Sequence, residues 1–222
     1  MNIRLKYACL ILLGCLCNIP LIAQTHSFQV WTGLETSAAI TNKLSFDFSV
    51  ETRFQQNSAT LKQASAEIGA RYSITKPLFV VASYEFADKY KGTGYFPVHT
   101  FAAAVGYKKK LGDWRLSVRT KLNAGKTTYI KKAEDERFDF VDKNKIKVAY
   151  NGFSHIQPSV FVETYHPMYA GSNFHVSTVK YSANCSFKLR KHFNLDFGYM
   201  FRHEIDDKEC ISIATITLGK EW

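Results

Sequence analysis

From Phe28 onward the chain alternates apolar and polar residues with a period of two, segment after segment. Across 44–54 one set holds Leu44, Phe46, Phe48, Val50 and Phe54, and the other holds Ser45, Asp47, Ser49, Glu51 and Arg53. A helix would scatter both sets around its axis, whereas a strand sends them to opposite faces. The same separation recurs over 64–74, 114–122, 179–189 and 193–201. Weaker alternation marks 28–40, 78–87, 101–109, 145–152, 156–165 and 211–222, which makes eleven candidate strands. No stretch carries the period and length of a helix.

The connections carry a second pattern. Short ones (41–43, 75–77, 111–113, 154–155, 190–192) alternate with longer polar ones (55–62, 88–97, 126–144, 166–173). Tight turns at one end and longer loops at the other are the outer-membrane pattern, and a soluble sandwich has no reason to sort loops by parity. The expected fold is therefore an all-β, antiparallel transmembrane barrel of 10–12 strands. Single-chain bacterial barrels close with an even count, so twelve is preferred over the eleven counted, with 28–34 broken in two.

The first residues read as an export signal. Arg4 and Lys6 form a positive start, 7–17 form an apolar core, and Asn18 and Pro20 break it before Ala23. That core is too short to span a bilayer as a helix. Removal after Ala23 is expected, leaving 24–222 as a single barrel domain placed in a Gram-negative outer membrane. Leu12-Leu13-Gly14-Cys15 resembles a lipoprotein box, with a brief apolar stretch before Cys15. No later run reaches the roughly 20 apolar residues of a membrane helix, but barrel strands are invisible to that criterion because their averages look polar.

Composition sharpens this picture. Aromatic residues make up 14 % of the chain, with 12 Tyr and 17 Phe, as expected of interfacial girdles. Of five cysteines, Cys9, Cys15 and Cys17 fall in the leader. Cys185, late in one strand, and Cys210, at the start of another, then sit at opposite ends and read as two small apolar residues. The net charge is +10; without Arg4 and Lys6 it is +8. Export argues against nucleic acid, so the basic loops suit lipopolysaccharide phosphates or simply a solvated face. The expected partners are outer-membrane lipids and the barrel assembly machinery, with the chain as a monomer. A last strand ending in Trp222 resembles that machinery's recognition signal.

Two segments then resemble a known family: Trp31-Thr32-Gly33-Leu34-Glu35, and Leu44-Ser45-Phe46-Asp47-Phe48-Ser49-Val50-Glu51-Thr52-Arg53-Phe54. So do Ile68-Gly69-Ala70-Arg71-Tyr72, Leu116-Ser117-Val118-Arg119 and Val160-Phe161-Val162-Glu163. They look like an uncharacterised outer-membrane barrel family of Bacteroidetes-type bacteria, catalogued as a domain of unknown function. The resemblance implies fold and location and carries no catalytic residues.

Candidate chemistry lies on the polar rows. The inward charges are expected to be Asp47, Glu51 and Arg53; Glu67 and Arg71; Glu85; Arg115, Arg119 and Lys121; Glu163; Lys180; and Asp196, Arg202 and Glu204. Charges withdrawn from water need partners, so these predict a salt-bridged lumen, structural or forming a narrow, porin-like small-solute pore whose charge rings select what passes. A small barrel is largely filled by its own side chains, which excludes a wide channel. The alternative function is lipid modification. His175 and Ser177 share a face near the outer end of a strand and resemble the His-x-Ser pair of lipid A deacylases. A catalytic base needs an orienting carboxylate, and the adjoining strand offers none on that face, with Glu204 expected inward. His99, His155, His166, His192 and His203 lack metal-ligand spacing. No cofactor is expected.

Overall fold

The computed structural model describes residues 25–222 other than 56–59, 93, 129–137, 169–173 and 190–191. The expected leader, with Cys15 in it, lies outside the described residues. Among the described residues every regular element is a strand. In order they are β1 (Thr25–Ala39), β2 (Leu44–Gln55), β3 (Thr60–Ser73), β4 (Leu78–Tyr90), β5 (Tyr95–Leu111) and β6 (Trp114–Thr127), then β7 (Asp139–Tyr150), β8 (Ile156–Pro167), β9 (Thr178–Lys188), β10 (Phe193–Glu204) and β11 (Glu209–Glu221). Each pairs with its sequence neighbours, and β11 returns to β1 to close a barrel.

The closure corrects one expectation. Eleven strands lie within the expected range, but the preferred even number does not form. Residues 28–34 do not break; they run on inside β1. With an odd count the first and last strands point the same way, so β1 pairs β11 in parallel, from Thr25 opposite Glu209 to Ser37 opposite Glu221. A parallel ladder has evenly spaced, slanted bonds and is slightly weaker per residue, yet it removes both edges as fully as an antiparallel one. Trp222 reinforces the seam: its N–H donates to the Ser37 carbonyl at 2.9 Å, and its indole Nε1 donates to Thr36 Oγ1 at 3.1 Å.

One end of the barrel carries tight turns, and threonine shapes two of them. Thr41 Oγ1 accepts from the backbone N–H of Lys43 and Leu44 at 3.2 and 3.0 Å, and Thr75 Oγ1 accepts from Leu78 at 3.2 Å. Such hydroxyl-to-backbone bonds substitute for the ladder where the chain reverses. Between β5 and β6 only Gly112 and Asp113 intervene, and Gly112 takes φ +62°, a left-handed conformation that glycine adopts without strain. We call this the turn end. The longest connections, 128–138 and 168–177, lie at the opposite or loop end. Elsewhere at that end the strands themselves run farther than the sequence pattern shows, with β4 reaching Tyr90 and β5 starting at Tyr95.

The two-residue period now has a spatial meaning. The outer face of β2 exposes Phe46, Phe48 and Val50, and those of β3 and β5 expose Ile68, Tyr72, Phe101 and Val105. Aromatic contacts gather at both ends of this apolar wall. Trp114, Tyr150 and Phe153 form a chain at the turn end, with ring centroids 4.9 and 5.1 Å apart. Tyr90–Tyr95 and Tyr84–Phe101 pair toward the loop end at 5.4 and 5.1 Å. Cys185 lies opposite Phe197 and Cys210 opposite His203 near the loop end, and no disulfide joins them.

Candidate functional site

The opposite rows of these strands enclose the lumen, and the ladder fixes which side chains share a level. Asp47 and Arg71, on adjacent strands β2 and β3, pair at 3.3 Å. Glu67 on β3 reaches across to Lys121 on β6 at 2.9 Å, and Arg119 on β6 reaches Glu163 on β8 at 3.2 Å. Toward the loop end, Glu51 pairs with Arg53 at 2.6 Å and Glu204 with Arg202 at 2.5 Å. Residues two apart on one strand point the same way, which is what lets these last pairs form.

The remaining expected residues fall on the same inner rows. Glu85 lies opposite Glu67 in the ladder and accepts a bond from Gln63 Nε2 at 3.4 Å, while Asp196 accepts one from Asn194 Nδ2 at 2.9 Å. Lys180 is buried against Tyr165 and Trp31, its ammonium 4.6 and 5.3 Å from the two ring centres. Arg115 stands exposed at the turn end of β6, opposite Lys110 and Ala149.

Glu163 is the hub. It is buried, accepts from the Tyr165 hydroxyl at 3.0 Å as well as from Arg119, and sits opposite Lys145 on one side and Lys180 on the other. One carboxylate therefore faces three cations in a space with little water, where Coulomb attraction is strong and an unmatched charge is costly.

One side of the lumen also carries an apolar cluster among these polar rows. Trp31, Met200, Ile211 and Ile213 form a buried cluster with Phe161 packed against it, and Ile211 and Ile213 are fully enclosed. The Trp31 indole N–H donates to Gln29 at 3.0 Å, and the Arg53 guanidinium lies 4.0 Å over its ring. Such a stack contributes about 0.5–2 kcal/mol and ties the neighbouring strand β2 to the cluster. Below the hub, toward the turn end, the lumen opens into a cavity of about 610 Å³. Its charged lining consists of Glu35, Asp47, Glu67 and Glu221 with Arg71, Lys108, Arg119, Lys121, Lys145, Lys147 and Lys220.

Sequence reasoning missed two parts of this interior. The inner row of β7 is Lys143, Lys145 and Lys147, which alternates with Asn144, Ile146 and Val148. The alternation was there to find, but its first half reads as loop. The inward apolar residues are single exceptions within polar rows, as with Met200 between Gly198 and Arg202, or fall where both rows are apolar, as with Ile211 and Ile213, so periodicity does not single them out.

His175 and Ser177 are placed differently from the expectation. They precede β9, which begins at Thr178, and so lie in the connection and not on a strand. Ser177 Oγ donates to the Tyr165 carbonyl at 3.3 Å. A carboxylate does reach His175 from outside the adjoining strand: His175 Nε2 pairs with Asp206 Oδ2 at 3.2 Å. Asp206 belongs to the β10–β11 turn, where strand alternation gives no guidance. Glu204 does point inward. Among the described residues no group of three or more His, Cys, Asp or Glu could hold a metal ion.

Comparison with known proteins completes the picture. A family model described as "Protein of unknown function (DUF2490)" matches residues 28–209. No curated protein matches the sequence. Among solved structures the barrel is similar to a bacterial polysaccharide outer membrane secretin, with a TM-score of 0.52 at 7 % identity. That match covers 78 % of this chain and 62 % of the secretin, so the chain spans less than two thirds of it. The β domain of the Bordetella autotransporter Brka aligns with a TM-score of 0.48 at 12 % identity, over 72 % of this chain and 74 % of that one. OmpT of Vibrio cholerae aligns with a TM-score of 0.40 at 12 % identity, over 72 % and 53 %. The structural neighbours are outer-membrane barrels.

Proposed function

This chain belongs to the DUF2490 family, and from that premise we propose that it is a sealed outer-membrane barrel, a structural wall element and not a free-flow pore. In this reading the segment up to Ala23 directs export, the turn end faces the periplasm, and the loop end faces outward. The assembly machinery receives the last strand with Trp222, and outer-membrane lipids, lipopolysaccharide among them, surround the exposed Phe and Ile rows.

One observation supports the functional part: Trp31, Met200, Ile211 and Ile213, with Phe161 against them, form a buried apolar cluster inside the barrel on the β8–β11 and β1 side, and none of them lines the turn-end cavity. A hydrated ion passing this cluster would lose water against its apolar side chains, which is how hydrophobic constrictions block conduction. The ion pairs from β3 to β6 and from β6 to β8 support the same reading, since they cross part of the lumen between strands that are not neighbours.

Planar-bilayer recording tests it. The purified wild-type chain, inserted from detergent, is expected to give no current steps above the bilayer's leak. Steady ohmic steps of porin size from the wild type would overturn the proposal.

A further inference from the structure

The turn-end cavity has an uneven charge. Its lining carries seven cationic side chains against four carboxylates. Two of those carboxylates are already matched, Asp47 by Arg71 at 3.3 Å and Glu67 by Lys121 at 2.9 Å, and Arg119 is drawn to Glu163 above the cavity. The other two, Glu35 on β1 and Glu221 on β11, belong to the opposite wall. Among the described residues Lys108, Lys145 and Lys147 have no carboxylate within ion-pair distance.

These three lysines share one wall. In the ladder Lys108 on β5 lies opposite Ser117 on β6, and Ser117 lies opposite Lys147 on β7. Two strand spacings separate the lysine backbones, about 10 Å, with a hydroxyl between them. Lys145, two residues along β7, lies opposite Arg119. Aromatic rings brace two of the stems: the Lys145 ammonium is 3.5 Å from the Phe161 ring centre and that of Lys108 is 5.2 Å from Phe79. Phe79 in turn lies flat over Gly106, where any Cβ would come within 2.1 Å of the ring. Between the lysines the β6 wall presents the small Ser117, with Arg119 beside it.

Ammonium groups held partly out of water and outside any ion pair, with Lys145 sharing Glu163 with Arg119 and Lys180, favour an anion. Lysine serves phosphate as a mobile point charge, and the Ser117 hydroxyl can donate to an oxygen placed between Lys108 and Lys147. At about 30 Å³ per water, the cavity has room for a diphosphate group and its remaining hydration.

We infer that the turn-end cavity is a binding site for a small soluble polyanion of the phosphate or diphosphate class, held on the β5–β7 wall by Lys108, Lys145 and Lys147 around Ser117. The inference rests on the sealed-barrel reading for one point only, that the solute comes and goes through the turn end.

Isothermal titration calorimetry tests it, with sodium pyrophosphate as the probe and the full chain folded in an uncharged detergent at low salt. Saturable binding at one site is expected. The pair Lys145→Gln and Lys147→Gln should weaken it about tenfold or more, whereas Lys43→Gln with Lys109→Gln, which removes equal charge from outside the cavity, should weaken it less than about twofold. Lys108→Gln, remote from Glu163, should give a loss of several-fold even if the first pair fails to fold. Absence of saturable heat, or equal weakening by the inner and outer pairs, would overturn the inference. A quiet barrel that fails to bind pyrophosphate removes this inference and leaves the sealed barrel standing; a conducting barrel that binds it does the reverse.

Discussion

Glu163→Ala is expected to lower the stability of the folded barrel by about 3–5 kcal/mol, the cost of breaking a buried pair and leaving its partners charged and unmatched. Glu163 is 7 % exposed and faces Arg119 at 3.2 Å, with Lys145 and Lys180 at the same level on either side. Lys180 is itself only 8 % exposed and has little water to turn to. The Tyr165 hydroxyl also loses its acceptor. Glu51→Ala is the contrast. That carboxylate pairs with Arg53 at 2.6 Å, but the two side chains are 35 % and 26 % exposed, and half-wet pairs contribute about 0–1 kcal/mol. Urea unfolding in detergent, followed by tryptophan fluorescence, separates the two cases. Equal losses from both variants would mean that Glu163 is not the hub described.

Trp31→Ala should have the second large effect, and it should appear in two readouts. Removing a buried indole costs about 3–5 kcal/mol through lost contacts and the space left behind. Here the ring packs beside Met200, Ile211 and Ile213, donates to Gln29, and underlies the Arg53 guanidinium, so the site cannot collapse without moving three strands. The same change removes the largest side chain of the seal. The variant that still folds is therefore expected to give discrete current steps in planar bilayers where the wild type is quiet. A folded Trp31→Ala barrel that stays quiet would place the seal elsewhere.

How much of this was legible in the sequence varied from strand to strand. β2 was the plainest case: Phe46, Phe48 and Val50 on one row and Asp47, Ser49 and Glu51 on the other need only the pleat to become outside and inside. Such rows located all eleven strands, because alternation is local and needs no knowledge of neighbours. What alternation does not encode is how the ends meet. Nothing between Phe28 and Leu34 says that β1 will close in parallel on β11, since that depends on strand parity around the whole ring. β7 was half hidden because Lys143 falls in a stretch that reads as loop until its inward row is seen beside Lys121. The apolar seal was hidden for the opposite reason. Ile211 and Ile213 face inward while Ile216 and Leu218 face outward on the same strand, and a rule that sends apolar residues to lipid misplaces the first two. Asp206 reaches His175 from a turn, where position follows from chain geometry and not from period.

The most direct test of the account is the accessibility of single spin-labelled cysteines at 46–51 of β2, in a chain with Cys185→Ala and Cys210→Ala, reconstituted in lipid. Labels at Phe46, Phe48 and Val50 should be relaxed mainly by oxygen dissolved in the bilayer. Labels at Asp47 and Ser49 should answer mainly to an aqueous nickel chelate, which reaches them through the turn-end cavity. Uniform accessibility along the strand, or alternation with the opposite phase, would contradict a barrel that turns its apolar rows to lipid and its charges to the lumen.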